Sequence, residues 1–121
     1  MVQAPPLKQN AVLGDPDLQA GLRGIDPVWG DLCTRVAGEV WGKPLIDQRT
    51  KTLIVCAVDV ANTGTEPAPY FAHLDMAMKQ GVTADELREL VTFMSVYAGF
   101  NKAAAAMVHL NEFLAQREQQ Q

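Results

Sequence analysis

The chain has 121 residues, of which 48% are hydrophobic and 20% are charged, and its formal net charge at pH 7 is −4. This length allows one domain with a substantial hydrophobic core, and the balance of residues excludes the disordered class of proteins. The chain also lacks the lysine and arginine clusters that neutralise a phosphate backbone, which argues against nucleic acid as a partner. We therefore expect a globular domain that folds alone or with copies of itself.

The hydrophobic segments are too short to cross a membrane. The longest strongly apolar run, residues 53–58, is far below the roughly 20 residues that span a bilayer. The first ten residues, MVQAPPLKQN, do not form the basic, apolar segment of a signal peptide. These features predict a cytoplasmic protein without a membrane partner.

The two cysteines, Cys33 and Cys56, form no recognisable motif. They do not belong to a Cys-x-x-Cys pair, and no second cluster of ligands surrounds either one, so neither a metal site nor a dithiol redox site is predicted. Two buried, reduced thiols are the expected state.

Start and stop signals predict five amphipathic helices. In chain order, the predicted helices run from Asp26-Pro27 to Gly42, from Asp47 to about Asn62, from Pro67 to Gly81, from Thr83 (a capping box with Glu86) to Gly99, and from Asn101 onwards. No segment alternates in the manner of a strand. We therefore predict an all-α bundle of about five to six helices at residues 15–116, with an N-terminal arm at residues 1–14 and a polar C-terminal tail at residues 117–121.

Each predicted helix carries an apolar stripe at three- and four-residue steps, which we expect to face the core. The stripes are Trp29, Leu32, Cys33, Val36 and Val40; Leu53, Cys56, Ala57, Val60 and Ala61; Tyr70, Phe71, Leu74, Ala77 and Met78; Leu87, Leu90, Val91, Met94, Tyr97 and Ala98; and Met107, Leu110 and Leu114. Helical phase assigns Asp59 to the opposite, polar face of its helix, together with Gln48, Thr52 and Asn62. Asp59 is therefore not a favoured functional residue.

His73 is the leading candidate for a catalytic residue. It lies at the edge of an apolar stripe, where an imidazole is partly desolvated and can still reach a cleft, which suits a general acid or base near neutral pH. The alternative is a histidine at the edge of the core that only hydrogen-bonds a neighbour. The second histidine, His109, has no acidic or histidine partner at ligand spacing and is interpreted as a surface residue.

Two charged residues are candidates to assist His73. Glu39 lies at the margin of its apolar stripe and is predicted to orient His73 or to move a proton itself, the alternative being a surface ion pair with Arg35. Arg49 projects towards the apolar side of its helix and is predicted to bind a substrate carboxylate, the alternative being a side chain that extends outwards to solvent. Trp41 and Tyr97, each close to a glycine turn, are predicted to form walls of a substrate pocket or to pack in the core.

Three segments together resemble the carboxymuconolactone decarboxylase family of the AhpD-like superfamily. They are GEVWGKPLIDQRTKTLIV, the histidine-containing HLDMAMKQGVTADELREL, and VYAGFNKAAAA. The resemblance extends from about Trp29 to Leu114 and implies an all-α bundle that assembles as a homo-oligomer, commonly a trimer or a hexamer, with active sites near subunit contacts. Two features depart from the family pattern, namely the TGTEPAP stretch before the histidine helix and Asp59, where small apolar residues are usual.

The resemblance also separates two kinds of activity. The peroxidatic branch carries a Cys-x-x-Cys motif whose cysteines would fall at Glu66 and Pro69, so its absence here argues against peroxidase or disulfide-reductase activity. The decarboxylase branch acts on a carboxylated muconolactone in aromatic-compound catabolism and needs no metal or organic cofactor. It implies that Arg49 holds a carboxylate and that His73 or Glu39 transfers a proton. A biosynthetic cyclase or isomerase of the same fold, and a non-catalytic oligomeric binding protein, remain the alternatives.

Overall fold

The computed structural model describes residues 10–63 and 67–119, and their regular secondary structure is entirely helical. The helices are α1 (Pro16–Ile25), α2 (Pro27–Trp41), α3 (Gln48–Thr63), α4 (Pro67–Lys79), α5 (Ala84–Tyr97) and α6 (Phe100–Gln119). The prediction of an all-α fold with five to six helices is therefore confirmed. Within the described ranges, no helix is both long enough and apolar enough to cross a membrane.

The chain divides into two compact units, Met1–Lys51 and Thr52–Gln121, and the boundary between them falls inside α3. Parts of the predicted terminal segments and of the loop before α4 lie outside the described residues: 1–9 of the arm, 64–66 of the loop and 120–121 of the tail. The predicted domain boundaries at residues 15 and 116 stay a prediction.

The first unit is built on α1 and α2, which begin in the same way. Asp15 and Asp26 each accept a hydrogen bond from a backbone N–H of the first turn, and each is followed by a proline whose missing N–H costs the helix nothing there. The Asp15-Pro16 signal for α1 is as clear as that for α2, but α1 was not among the five predicted helices. The two helices come very close at Gly30, where an added Cβ would lie 2.6 Å from the Leu22 carbonyl group.

The predicted apolar stripe of α2 does not face a core. Its large side chains are about half exposed or more, and so are two neighbouring apolar residues at the junction with α1. The exposed fractions are 72% for Ile25, 79% for Val28, 46% for Trp29, 47% for Leu32, 55% for Val36 and 61% for Val40. Cys33, predicted to be buried, is partly exposed. The expectation that this stripe packs inside the single chain is therefore wrong.

Two side chains from the first turn of α3 hold the turn that follows α2. The Gln48 amide donates to the Trp41 carbonyl at 2.6 Å, and the Lys51 ammonium group donates to the same carbonyl at 2.8 Å. Gln48 also accepts a hydrogen bond from the Ala11 N–H at 2.7 Å. The C-terminal end of α2 is thereby satisfied by side chains as well as by its Gly42 cap.

The core of the second unit lies between α3, α4, α5 and α6. Its buried residues are Cys56, Val60, Tyr70, Leu74, Ala77, Val82, Leu87, Val91, Ala103, Ala106, Leu110 and Phe113. Eight of the nineteen stripe residues predicted for the helices of this unit are buried in this core, and eight more are partly buried and pack against it, so these stripes are largely confirmed. The small side chains of Ala103 and Ala106 are part of this core, and the ammonium group of Lys102 binds the Ala61 carbonyl near the end of α3 at 2.7 Å.

The helix boundaries of the second unit agree with the sequence signals at all but one position. Thr83 and Glu86 form the predicted capping box at the start of α5, with reciprocal side-chain and backbone hydrogen bonds. The predicted cap of the last helix is wrong, because α6 begins at Phe100 and Asn101 already lies within it. Gly99 precedes the helix with a φ of 107°, a conformation that glycine adopts without the strain a Cβ would bring.

Candidate active site

His73 lies in the middle of α4, on the same face as the buried Tyr70 and Ala77. Its side chain is 31% exposed, so the imidazole is partly enclosed and partly open to solvent. Leu74, the next residue, is 1% exposed and anchors this turn in the core of the second unit. The location agrees with the prediction of a histidine at the edge of an apolar stripe, while its catalytic role stays a prediction.

Asp59 of α3 holds the imidazole of His73. Its Oδ2 atom lies 2.5 Å from the Nδ1 atom of His73, and the Asp59 side chain is only 10% exposed. A carboxylate can only accept, so His73 donates the hydrogen through Nδ1. The remaining ring nitrogen, Nε2, is thereby left as the atom that can exchange a proton with a substrate.

The assignment of Asp59 to a polar face of α3 is therefore wrong. Thr52 and Asp59 are 1% and 7% exposed, whereas Asn62, assigned to the same face, is exposed. Asp59 follows Cys56 by three residues, and side chains at that spacing are neighbours on a helix surface. The position of Cys56 in the apolar stripe was the signal in the sequence that placed Asp59 towards the core.

Two further polar groups are buried beside this pair, the Cys56 thiol and the Tyr70 hydroxyl. Burial raises the pKa of Cys56 to about 12, and the negative charge of Asp59 adds to the shift. Burial likewise raises the pKa of Tyr70, with smaller contributions from Cys56 and Asp59. The Tyr70 hydroxyl makes no hydrogen bond to any residue that the structure describes. Both groups stay neutral near pH 7, so His73 and Asp59 lie against weakly polar surroundings.

Three of the predicted site residues belong to the first unit. Glu39 is exposed on α2, Trp41 is the last residue of that helix and is partly buried, and Arg49 is partly buried in the first turn of α3. The backbone carbonyl of Trp41 has the contacts to Gln48 and Lys51 described above. Their predicted roles, proton transfer for Glu39 and substrate binding for Arg49 and Trp41, stay predictions.

Tyr97 belongs to the second unit and lies in the last turn of α5. Its side chain is 74% exposed, so the expectation that it packs with the apolar stripe of α5 is wrong for the single chain. Its ring centroid is 5.1 Å from that of Phe93, which is itself 59% exposed. The two rings form an exposed aromatic surface, and the predicted role of Tyr97 as a pocket wall stays a prediction.

His109, the second histidine, differs from His73 in its surroundings. Its side chain is 20% exposed rather than at the surface, and its ring meets the edge of Phe71 at 6.4 Å between centroids. The nearest carboxylate, that of Glu112, is 3.6 Å from Nδ1, which is too long for a hydrogen bond. Over residues 10–63 and 67–119, no three histidine, cysteine or acidic side chains are grouped as metal ligands would be.

The geometry defines a class of protein. It is an all-α protein in which a buried carboxylate holds one nitrogen of a partly accessible imidazole, an arrangement that suits proton transfer to or from a small molecule. The two residues come from α3 and α4, which both contribute buried residues to the core of the second unit.

Comparison with known proteins identifies the family. The family model described as "Carboxymuconolactone decarboxylase family" matches residues 27–112. A protein named 4-carboxymuconolactone decarboxylase, from Acinetobacter baylyi, is 34% identical over 105 residues, which cover 84% of this chain and 76% of the relative. The chain belongs to the carboxymuconolactone decarboxylase family. No solved structure matches it.

Proposed function

We propose that this protein is a carboxy-lyase that removes carbon dioxide from a small carboxylated lactone, or a related enolisable acid, without a cofactor. The single observation that carries the proposal is the partly accessible imidazole of His73, held at Nδ1 by Asp59. The printed name of the A. baylyi relative supports the reaction class, and 4-carboxymuconolactone is accordingly the first substrate to test.

The reaction requires one proton transfer for each turnover. The bond between the substrate carbon and its carboxylate breaks, carbon dioxide leaves, and the electron pair is delocalised into a neighbouring carbonyl as an enolate. A proton from the Nε2 atom of protonated His73 then forms the new carbon–hydrogen bond, and solvent returns a proton to the imidazole. Arg49 is proposed to bind the substrate carboxylate, Glu39 to assist the proton transfer, and Trp41 and Tyr97 to exclude water.

The chain offers a matched control for His73, because it contains only two histidines. Carbon dioxide release and ultraviolet absorbance would be followed with 4-carboxymuconolactone for the wild type, His73→Ala and His109→Ala. We expect His73→Ala to lower kcat by about 10²- to 10⁴-fold, the usual contribution of a general acid or base, and His109→Ala to retain most of the activity. An inert wild type would contradict the proposed reaction, and equal losses in both variants would contradict the role of His73.

Independence from cofactors has its own test. Protein dialysed against EDTA and freed of small molecules by gel filtration is expected to keep its full rate on the same substrate. Recovery of a lost rate on adding a divalent metal ion would contradict this part of the proposal.

Self-association is the proposed partner interaction. The exposed apolar face of α2 supports it, because a row of side chains such as Leu32, Val36 and Val40 is costly to leave in water. A trimer or a hexamer is the assembly that family membership suggests. Sedimentation should show an oligomer for the wild type and for Arg35→Glu, an exposed position on the same helix, and a smaller species for Val36→Glu. A monomeric wild type would contradict it.

A further inference from the structure

The contact between Asp59 and His73 is a polar contact between two helices of the second unit, at a position where the family usually has small apolar residues. It joins α3 to α4, with Oδ2 and Nδ1 2.5 Å apart, and it involves a carboxylate whose side chain is only 10% exposed. Burying a carboxylate is costly unless it is hydrogen-bonded, so a position that a small apolar side chain could fill needs a reason to carry one. The contact fixes the ring of His73, the residue that is proposed to transfer the proton.

We propose that Asp59 is the positioning residue of the active site, which holds His73 in the form with its hydrogen on Nδ1 and directs Nε2 to the substrate. This inference rests on the proposed function for its catalytic consequence, but not for the geometry. In neutral His73, Nε2 then carries the lone pair that accepts a proton, and in protonated His73 it carries the proton that is donated. Asp59 neither gains nor loses a proton in this cycle.

The surroundings of Asp59 strengthen its hold on the imidazole. Cys56 and Tyr70, which lie one helical turn before Asp59 and His73, are 0% and 1% exposed and stay neutral near pH 7. Weakly polar surroundings make a hydrogen bond to a carboxylate stronger than it would be in water. The imidazole therefore has less freedom to rotate or to change its tautomer than a histidine held by a surface carboxylate.

The length of the side chain is part of the inference. Asp59 already reaches Nδ1 at 2.5 Å from a helix that shares a core with α4, so an additional methylene group would force the ring or the helix to move. An asparagine has the shape of aspartate, but its amide group can also donate, so it can turn its NH₂ to Nδ1 and stabilise the opposite tautomer. Asp59→Asn is consequently the variant that removes the positioning while it keeps the packing.

The first test needs no change at Asp59. In a His109→Gln background His73 is the only histidine, so the signals of its two ring nitrogens can be assigned without ambiguity by ¹⁵N NMR. The spectra are recorded at a pH high enough that these signals no longer change with pH, so that the imidazole is neutral. We expect the hydrogen of neutral His73 on Nδ1, and on Nε2 in Asp59→Asn. A wild-type hydrogen on Nε2, or a distribution that Asp59→Asn leaves unchanged, would overturn the inference whatever the reaction proves to be.

The second test measures the consequence for catalysis. If 4-carboxymuconolactone is turned over, we expect Asp59→Asn to lower kcat by roughly 10- to 100-fold with KM changed about twofold or less, because the loss falls on proton transfer rather than binding. Cys56→Ala, a core change on the same face of α3, is the control, and it should lower the thermal midpoint without altering the tautomer. A loss of kcat in Asp59→Asn no larger than in Cys56→Ala would overturn the catalytic part. An inert wild type with the expected NMR result would contradict only the proposed function.

Discussion

Gly30 of α2 lies directly against the backbone of Leu22 in α1. A Cβ at this glycine would be 2.6 Å from both the carbonyl carbon and the carbonyl oxygen of Leu22, and neither atom can move without moving α1. The close packing of the two helices therefore depends on the missing side chain rather than on conformational freedom of the glycine.

We expect Gly30→Ala to lower the free energy of unfolding by about 1 to 3 kcal/mol, the usual cost of forcing extra atoms into a packed contact. Gly24→Ala is the matched control, because a Cβ there meets nothing within 4 Å and alanine favours the helix by up to about 1 kcal/mol. Urea unfolding of both variants checks the prediction. Equal stabilities would show that the helices separate more easily than the contact implies.

Asp75 links α4 to the end of α6, and its contribution to stability should depend on pH. Burial would raise its pKa, but hydrogen bonds from Lys79 and Arg117, at 2.9 Å and 2.7 Å, and their positive charges lower it below its usual value. Because the folded protein then binds the proton less readily than the unfolded chain, whose carboxyl has a pKa of about 4, the stabilisation is complete at neutral pH. It is lost as the pH falls below about 4, through the lowered pKa of the folded state.

We therefore expect Asp75→Asn to lower the free energy of unfolding by about 1 kcal/mol at pH 7, a modest value because the side chain is 35% exposed and screened by solvent. The difference from the wild type should shrink as the pH falls below about 4. Asp85→Asn, at a carboxylate 98% exposed and 3.8 Å from Arg88, should have little effect at either pH. Urea unfolding of the variants and the wild type between pH 7 and a pH below about 4 tests this prediction. A difference in the free energy of unfolding between Asp75→Asn and the wild type that does not change with pH would contradict the ionic contribution.

The Cys56 thiol should resist alkylation in the folded protein. It is 0% exposed, and burial together with Asp59 raises its pKa to about 12, so almost no thiolate forms at pH 8. In a Cys33→Ser background, iodoacetamide at pH 8 should modify the folded protein far more slowly than the urea-unfolded protein. Rapid modification of the folded variant would show that α3 opens locally at this position.

The capping box at the start of α5 makes a simple prediction for stability. The Thr83 hydroxyl accepts from the Glu86 N–H at 3.1 Å, and the Glu86 carboxylate accepts from the Thr83 N–H at 2.9 Å. Thr83→Ala should lower the free energy of unfolding by about 1 kcal/mol, whereas Thr83→Ser, which keeps the hydroxyl, should cost little. Thermal unfolding distinguishes the two variants, and an equal loss in both would indicate packing of the threonine methyl group instead.

Local signals in the sequence predicted the helices of the second unit well. Pro67, the Thr83 capping box and the glycines at 81 and 99 act within one turn of chain, so their physical effect is the same whatever surrounds them. The start of α1 was missed although Asp15-Pro16 is a signal of the same kind. Its short helix, with no buried residue, has little apolar periodicity to support the prediction.

What the sequence could not give was the surroundings of each helix face. The stripe of α2 has the period of a core-facing helix, but Val36 and Val40 are exposed. Periodicity identifies an apolar face, but it does not identify what covers that face. Asp59 shows the converse, because a polar side chain need not be exposed. Its position about 60° from Cys56 around the helix lies on the buried side. His73 was identified correctly as a partly buried histidine, but its partner is fourteen positions away on another helix.

Each of the two units extends beyond the stretch of chain that identifies the family. The family match ends at residue 112, whereas Phe113 is 8% exposed in the core and Arg117 binds Asp75. It begins at residue 27, whereas residues 10–26 include α1, which packs against α2, and Ala11, which binds Gln48. A fragment trimmed to the matched residues would thus keep the recognisable signature and lose contacts at both ends, so we expect it to be prone to aggregation.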